Sequence, residues 1–383
     1  MDFDLSEEQQ LLKESVDRLI ADRYTFEKRK AHQASPDGWS RELWAQYAEL
    51  GLLALPFAEA DGGFGGGPVE TMLVMEAFGR ALTLEPYFAC VTLAGGVLRR
   101  AANEAQKSAL VPKIATGELL IALAHSEPQS RYDLFDVAAT AKREGESYLL
   151  NGEKGLVLHG DSADKLIVSA RTNGHRRDRS GIGLFLVEAA AQGVSRRGYR
   201  TQDGARAAEV TLTNVRIGPE DVIGDPSAGL DVLESVADEA IAALCAEAIG
   251  AMQEALTQTV AYLKTRKQFG MTIGSFQALQ HRASDMLVSL EQAKSMAAYA
   301  AMMANEANIA ERRKALSAAK IQISQSARFI GQQSIQLHGG MGMTMETMIG
   351  HLFKRLSMIE RQFGDVDYHL AHLAETDGFV GAR

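Results

Sequence analysis

A chain of 383 residues, 46% apolar and 23% charged, is long enough to build two or three layers around a sizeable core and has the make-up of an ordinary globular protein. Its formal net charge of −9 excludes nucleic acid and an anionic membrane surface as expected partners. No run reaches the roughly 18 apolar residues of a membrane span, and the acidic start Met1-Asp-Phe-Asp-Leu-Ser6 lacks the basic n-region of a signal peptide.

The N-terminal third reads as helical. Ser6 with Gln9 forms a capping-box pattern, after which Leu12, Val16, Leu19 and Ile20 recur at helical spacing. Trp44, Tyr47, Ala48 and Leu52 make a second stripe that ends at Gly51 and Pro56. The loop Asp61 to Pro68 precedes a helix for which Pro68 suits the first position, with Met72, Val74, Met75 and Phe78 on its apolar side. Two more helical segments run to Thr116-Gly117. The period then shortens. Leu119–Ala124, Val137–Ala141, Tyr148–Leu150, Leu156–Leu158, Lys165–Ala170, Gly183–Val187 and Glu209–Val215 are predicted strands. Glu144–Ser147 reads as a hairpin loop, and Asn151-Gly152 as a turn. The basic cluster His175-Arg176-Arg177-Asp178-Arg179 is expected to be a solvated loop tip. From Leu230 to about Glu375 the helical period returns in long, alanine-rich segments that predict an antiparallel four-helix bundle. Cys90 and Cys245, far apart in apolar surroundings, are expected to be buried free thiols of a reducing, cytoplasmic compartment. No His/Cys/Asp spacing resembles a metal site.

The stretch richest in chemistry is Tyr262-Leu-Lys-Thr-Arg266-Lys-Gln268-Phe269-Gly270, followed by Phe276-Gln277 and later by Gln336-Leu-His-Gly339-Gly340-Met-Gly342. An arginine at a helix end offers a planar fork of donors that matches phosphate oxygens. Paired glycines let backbone approach a ligand with no Cβ between. Either signal alone is weak, because such an arginine is most often a surface residue and paired glycines are most often a turn. Together the segments match signature motifs of the acyl-CoA dehydrogenase family, flavoproteins that desaturate acyl thioesters. The chain resembles that family over essentially its whole length. Within the family it looks most like the small subunit of the pimeloyl-CoA dehydrogenase branch, on its start Asp2 to Gln9, its Gly62–Glu70 loop and its Leu337–Thr344 segment.

The resemblance implies an α+β fold of three parts: an N-terminal helical domain (1–118), a small central β-barrel or sandwich (119–226) and a C-terminal four-helix bundle (227–383). It implies FAD as cofactor, an acyl-CoA as substrate, an electron-transfer flavoprotein as electron acceptor and a dimer or tetramer as assembly. Arg266, Gln268, Phe269, Phe276, Gln277, Gln336, Gly339 and Gly340 would contact the adenosine diphosphate half of an FAD whose ring lies in the neighbouring subunit. The ring would be held by the chain's own β domain. There the family's Thr-Glu-Pro-x-x-Gly-Ser-Asp stretch reads Ser126-Glu127-Pro128-Gln129-Ser130-Arg131-Tyr132-Asp133, with two bulky side chains in place of Gly-Ser. The family's Trp-x-Thr stretch, counted from Asn151-Gly152-Glu153-Lys154, falls on Leu156 and Leu158, which offer neither an aromatic face nor a hydroxyl.

The base departs from the pattern as well. Removing the α-proton of an acyl thioester takes a carboxylate within hydrogen-bond reach, and the family's Glu-Gly-Thr step reads Phe363-Gly364-Asp365 here. Relatives that carry the glutamate on the first bundle helix place it at Ala240. Its neighbour Glu239 is about 100° of helix rotation away and is a weak candidate, read more readily as an acid on a solvated helix face. Glu247 lies two turns on, roughly 10 Å away. Asp365 reads as a capping or surface aspartate, Met302, Met303, Met341 and Met343 as packing, and His125, His159 and His338 as structural histidines. Three readings follow: a non-catalytic subunit that supplies diphosphate contacts to a catalytic partner's FAD, a self-sufficient homomer with a relocated base, and a non-enzymatic flavin-retaining binding protein. The acidic balance speaks against a nucleic-acid version of the third.

Overall fold

The computed structural model describes residues 5–376, so the start Asp2 to Asp4 lies outside the described residues. Six helices come first: α1 (Glu7–Arg23), α2 (Phe26–Ala34), α3 (Arg41–Glu49), α4 (Pro68–Ala81), α5 (Gly95–Ala101) and α6 (Glu104–Ala115), with a π-helical turn at Phe88–Ala94. Strands β1 (Ile121–Ala124), β2 (Thr140–Glu144), β3 (Ser147–Leu158), β4 (Lys165–Arg171), β5 (Ile182–Glu188), β6 (Val194–Arg200), β7 (Arg206–Ile217) and β8 (Val222–Ile223) follow. The chain ends in α7 (Gly229–Thr265), the two-strand hairpin β9 (Lys267–Gln268) and β10 (Met271–Thr272), α8 (Gln277–Met303), α9 (Ile309–His338), α10 (Met348–Arg361) and α11 (Val366–Thr376). The expected order of helices, strands and helices is therefore observed. Where four bundle helices were expected, a short fifth, α11, follows. Among the described residues no helix is long and apolar enough to cross a membrane, and no His/Cys/Asp/Glu group could hold a metal ion.

The described residues form two compact units, 5–31 with 68–83 and 241–376, and 32–67 with 84–240. In the first, Ser6 caps α1 reciprocally with Gln9 and Pro68 opens α4. Helices α4 and α7 approach closely enough that a Cβ on Gly79 would sit 1.9 Å from the Glu247 carbonyl, and one on Gly250 1.9 Å from the Glu76 carbonyl. Only glycine permits that crossing. Helix α9 is the centre of this unit, packing against α8, α10 and α11 through Ala315, Leu316, Ala319, Ile323, Ala327 and Ile330.

In the second unit the sheet runs β6-β7-β3-β2-β4-β5-β8, with β1 parallel to β4. Its core is made by Val137, Leu150, Val157, Leu166, Val168, Phe185, Val210 and Val215 and their neighbours. Three strand expectations are corrected. Tyr148–Leu150 and Leu156–Leu158 are parts of the single strand β3, and β2 starts later than expected, at Thr140. Asn151-Gly152 is a bulge inside β3, not a turn: pairing with β7 shifts between Leu150 and Gly152, and the Asn151 side chain accepts from the Asn214 amide at 2.8 Å. A Cβ on Gly152 would meet Ala139 at 2.6 Å, so the glycine serves close packing and φ of 149° rather than a reversal. Strand β6 was not foreseen, because Val194-Ser-Arg-Arg-Gly-Tyr-Arg200 pairs with β7 alone and has no apolar face to alternate.

Candidate functional site

The two glycine-bearing motifs meet in the helical unit. Tyr262, in the last turn of α7, stacks on His338, the last residue of α9, with ring centroids 4.5 Å apart and planes 24° off parallel. The His338 Nδ1–H donates to the Ser334 carbonyl at 2.8 Å, and burial lowers its pKa, so the ring stays neutral and packs as an aromatic. Beyond α7 the chain turns over at Phe269-Gly270, both with positive φ (53° and 81°), as a two-residue hairpin requires. Phe269 is 89% exposed and meets only the edge of Phe276, at 6.2 Å. The Arg266 backbone is fixed by bonds with Tyr262 and Ile273 at 2.8 and 2.9 Å, while its exposed guanidinium has no partner among the described residues. Gln268 caps its neighbour's carbonyl at 2.7 Å, and Gln277 and Gln336 are exposed at the start of α8 and near the end of α9.

The glycines divide by cause. Gly339 ends α9 at φ 59°, and a Cβ on Gly342 would lie 2.8 Å from the Ile335 carbonyl. Gly340 has neither excuse: no positive φ, and nothing within 4 Å of an added Cβ. A glycine with neither cause leaves room for the backbone to touch something else.

The second unit carries the other two stretches. Glu127 is not at a surface. Its carboxylate pairs with Lys154 at 2.6 Å and accepts from Gln129 at 2.7 Å, Ala138 N at 2.8 Å and Ala139 N at 3.2 Å. Burial alone would raise its pKa, but the Lys154 ammonium and these donors hold it below the usual carboxylate range. Lys154 also donates to Ser169 Oγ at 3.0 Å, and the Gly155 amide to the Ser126 carbonyl at 2.9 Å. One buried ion pair thus braces both stretches. Arg131, at the family's glycine, keeps φ at 47°, and Leu156 sits at φ 51° in a second bulge of β3. Both positions have left-handed backbone. Leu156 is 40% exposed, and Arg131 lies over its neighbour Tyr132 at 5.2 Å.

Phe363 stands in the turn between α10 and α11, at φ 55° with Gly364 at 112°. Lys320, a buried lysine of α9, donates to the carbonyls of Glu360 (3.1 Å), Gln362 (2.8 Å) and Gly364 (2.8 Å). Burial pushes its pKa down to about 8. His369 takes the remaining Phe363 carbonyl at 3.1 Å through Nε2 and meets Ser317 Oγ at 3.1 Å through Nδ1. Asp365 accepts the Tyr368 amide at 3.0 Å, which makes it a helix cap, as expected. The carbonyls of the turn are thus held by Lys320 and His369 from α9 and α11.

Burial, with Lys320 nearby, lowers the His369 pKa to about 3, and burial with Lys154 nearby lowers that of His125 to about 4. Both histidines are neutral in the folded protein and titrate near 6.5 when unfolded. Each therefore contributes stability that is complete above pH 6.5 and is lost as pH falls toward its folded value. Urea unfolding should show stability falling, per histidine, by about 0.7 kcal/mol from pH 7 to 6 and about 1.2 kcal/mol from pH 6 to 5, with His369→Gln removing one such contribution. A flat profile would refute it.

Glu239, read as an acid on a solvated helix face, is not one. Glu239 is clamped by Arg99 at 2.7 Å and Arg100 at 2.6 Å; burial would raise its pKa, but the two guanidinium groups hold it low. Glu247 forms a bidentate pair with Arg355 at 2.5 and 2.6 Å. The basic cluster is an exposed loop, as expected, and two of its arginines also reach a buried acid. Arg176 and Arg177 hold the buried Asp136 at 2.8 and 2.7 Å, and Arg177 and Arg179 flank the Phe135 ring. His159 is buried with φ 52°, Met302 is exposed and Met303 half-buried. Cys90 and Cys245 are free, buried thiols whose pKa burial raises to about 12. Lys154, Lys320 and the Arg99–Arg100 pair escaped the sequence reading. The signal available for Lys320 was a lone cation on the otherwise apolar stripe of α9.

Family models cover nearly the whole chain: the acyl-CoA dehydrogenase N-terminal domain at residues 6–118, the middle domain at 122–215 and the C-terminal domain at 227–376. This chain belongs to the acyl-CoA dehydrogenase family. It is similar to the probable acyl-CoA dehydrogenase YngJ of Bacillus subtilis (29% identity over 368 residues, 94% of this chain and 95% of the relative). It is also similar to mitochondrial isovaleryl-CoA dehydrogenase of Pongo abelii (30% over 365 residues, 93% and 85%). Among solved structures it superimposes on the Tcur3481-Tcur3483 steroid ACAD with TM-score 0.86 at 27% identity, covering 97% of each chain. By family this acyl-CoA dehydrogenase chain is an FAD-dependent oxidoreductase. Tested against FAD, the Arg266–Gly340 end of the helical unit fits a diphosphate, with an unpartnered fork and an unfilled glycine. The β-unit wall does not fit the flavin ring, since Leu156 and Leu158 present no ring face and no hydroxyl.

Proposed function

We propose that this chain is the non-catalytic member of a two-subunit acyl-CoA dehydrogenase, of the kind represented by the small subunit of pimeloyl-CoA dehydrogenase. Its role is to supply diphosphate contacts to the FAD of a catalytic partner. The observation that carries the reading is the turn at residue 363, held at its carbonyls by Lys320 and His369, which presents phenylalanine where α-proton removal needs a carboxylate. Arg266 would form the bidentate contact to the diphosphate, with Gln268, Phe269, Phe276, Gln277 and Gln336 around it. Gly339 and Gly340 would let the backbone approach, and Ser126 would remain from the ring site. The domain limits 118/119 and 226/227 belong to the same reading. FAD, when bound, accepts the β-hydride in α,β-desaturation of an acyl-CoA, here a dicarboxylyl-CoA, and an electron-transfer flavoprotein of the cytoplasm reoxidises it. Glu239, fully engaged by two arginines, gives no support to a relocated base. That the Tcur3481-Tcur3483 steroid ACAD is named as a pair of chains is compatible with a two-subunit assembly.

The test is flavin content and dye reduction of the chain expressed alone. It should purify with little FAD and show no acyl-CoA-dependent dye reduction, a deficit on the order of 10²- to 10⁴-fold for a missing base. Phe363→Glu alone should not restore turnover, because Leu156 and Leu158 still leave the ring unseated. A yellow, fully flavinated and active homomer would overturn the proposal.

A further inference from the structure

Three of the chain's 14 methionines lie in the five residues after the paired glycines, Met341-Gly-Met343-Thr-Met345, and they are 42%, 76% and 54% exposed. In the same unit Met75, Met252 and Met286 are buried at 2% or less. The turn beneath the exposed three is fixed, since the Met341 carbonyl accepts from Thr344 N (3.2 Å), Thr344 Oγ1 (2.9 Å) and Thr347 Oγ1 (3.2 Å). Met345 differs from its neighbours. Its carbonyl accepts from His351 Nε2 at 3.2 Å, and its Sδ lies 3.3 Å from the Lys354 ammonium on α10.

We propose that Met343 and Met345 form a peroxide-sensitive modification site in which the sulfoxide made at Met345 is captured by Lys354. The sulfur lone pair attacks one oxygen of hydrogen peroxide, the O–O bond breaks and an S–O bond forms. Both protons leave with the second oxygen as water; the thioether is oxidised by two electrons and the peroxide reduced by two. A thioether sulfur is a weak acceptor, whereas a sulfoxide oxygen facing an ammonium accepts a charge-assisted hydrogen bond. Oxidation therefore converts a weak contact into a strong one and ties the segment carrying Gly339 and Gly340 to α10. At Met343, which has no such cation among the described residues, it adds only polarity.

Treating the full chain with dilute hydrogen peroxide and mapping the mass gain of about 16 Da per sulfoxide should find Met343 and Met345 modified well before Met75, Met252 and Met286. Hydrogen exchange of the amides at 345–348 should then slow about threefold, as one added net hydrogen bond implies. The slowing should be absent in Lys354→Met and in the non-oxidisable Met345→Leu, both of which keep the untreated exchange pattern. Reduction by a methionine sulfoxide reductase should reverse it. Modification of Met343 and Met345 no faster than of the buried methionines, or equal exchange in treated wild type and treated Lys354→Met, overturns the proposal.

Discussion

Lys154→Met is expected to destabilise the protein by roughly 3–5 kcal/mol, the usual cost of stranding one member of a buried ion pair. The cation it removes is buried, contacts Glu127 at 2.6 Å and is also held by Ser169. Glu127 would keep its bonds from Gln129 and the 138 and 139 amides but lose its counter-charge. The double variant Lys154→Met/Glu127→Leu should recover most of the loss, because an apolar pair of similar volume is often as stable as the ion pair it replaces. Stability and order part company there: the bulge at Leu156 and the loop through Arg131 should exchange amide hydrogens faster in the double variant, since the brace that imposes their left-handed backbone is gone. Denaturant unfolding and hydrogen exchange read the two quantities separately. A single variant within about 1 kcal/mol of wild type would mean that water or relaxation replaces the ion pair.

The second large effect is expected at Arg266. With the chain co-expressed with its catalytic partner, Arg266→Ala should weaken flavin retention by on the order of 10- to 100-fold, the equivalent of losing a hydrogen bond to a charged group. Substrate preference should stay as it was. Among the described residues nothing holds that guanidinium, so the isolated subunit should unfold at an unchanged denaturant concentration. Loss of flavin without loss of stability is the signature of a contact made outward. If the variant complex keeps its full flavin content through dialysis, Arg266 is a surface residue and the supplying role falls.

The parts of the site that the sequence made legible were those in which a residue type carries its function locally. The capping box of α1, Pro68 at the start of α4 and the cap at Asp365 each act within a few residues of themselves. The misreadings share a cause. Asn151-Gly152 has the composition of a turn, and only the position of Ala139 on a neighbouring strand makes it a bulge. Glu239 looked solvated because charged residues usually are; its arginine partners lie 140 and 139 residues away.

The sequence by itself determined the family and the order of helical and β parts, because those are matters of residue identity and spacing. The tertiary structure alone decided the backbone shapes at the residues that the motifs single out. Arg131 and Leu156 keep left-handed backbone over the Glu127–Lys154 brace, and Phe363 sits on a turn whose carbonyls Lys320 and His369 hold from other helices. A side chain can be read off one position. The shape of a backbone is set by buried donors and charges that reach it from far along the chain, and their cost of burial is met only once those partners are in place.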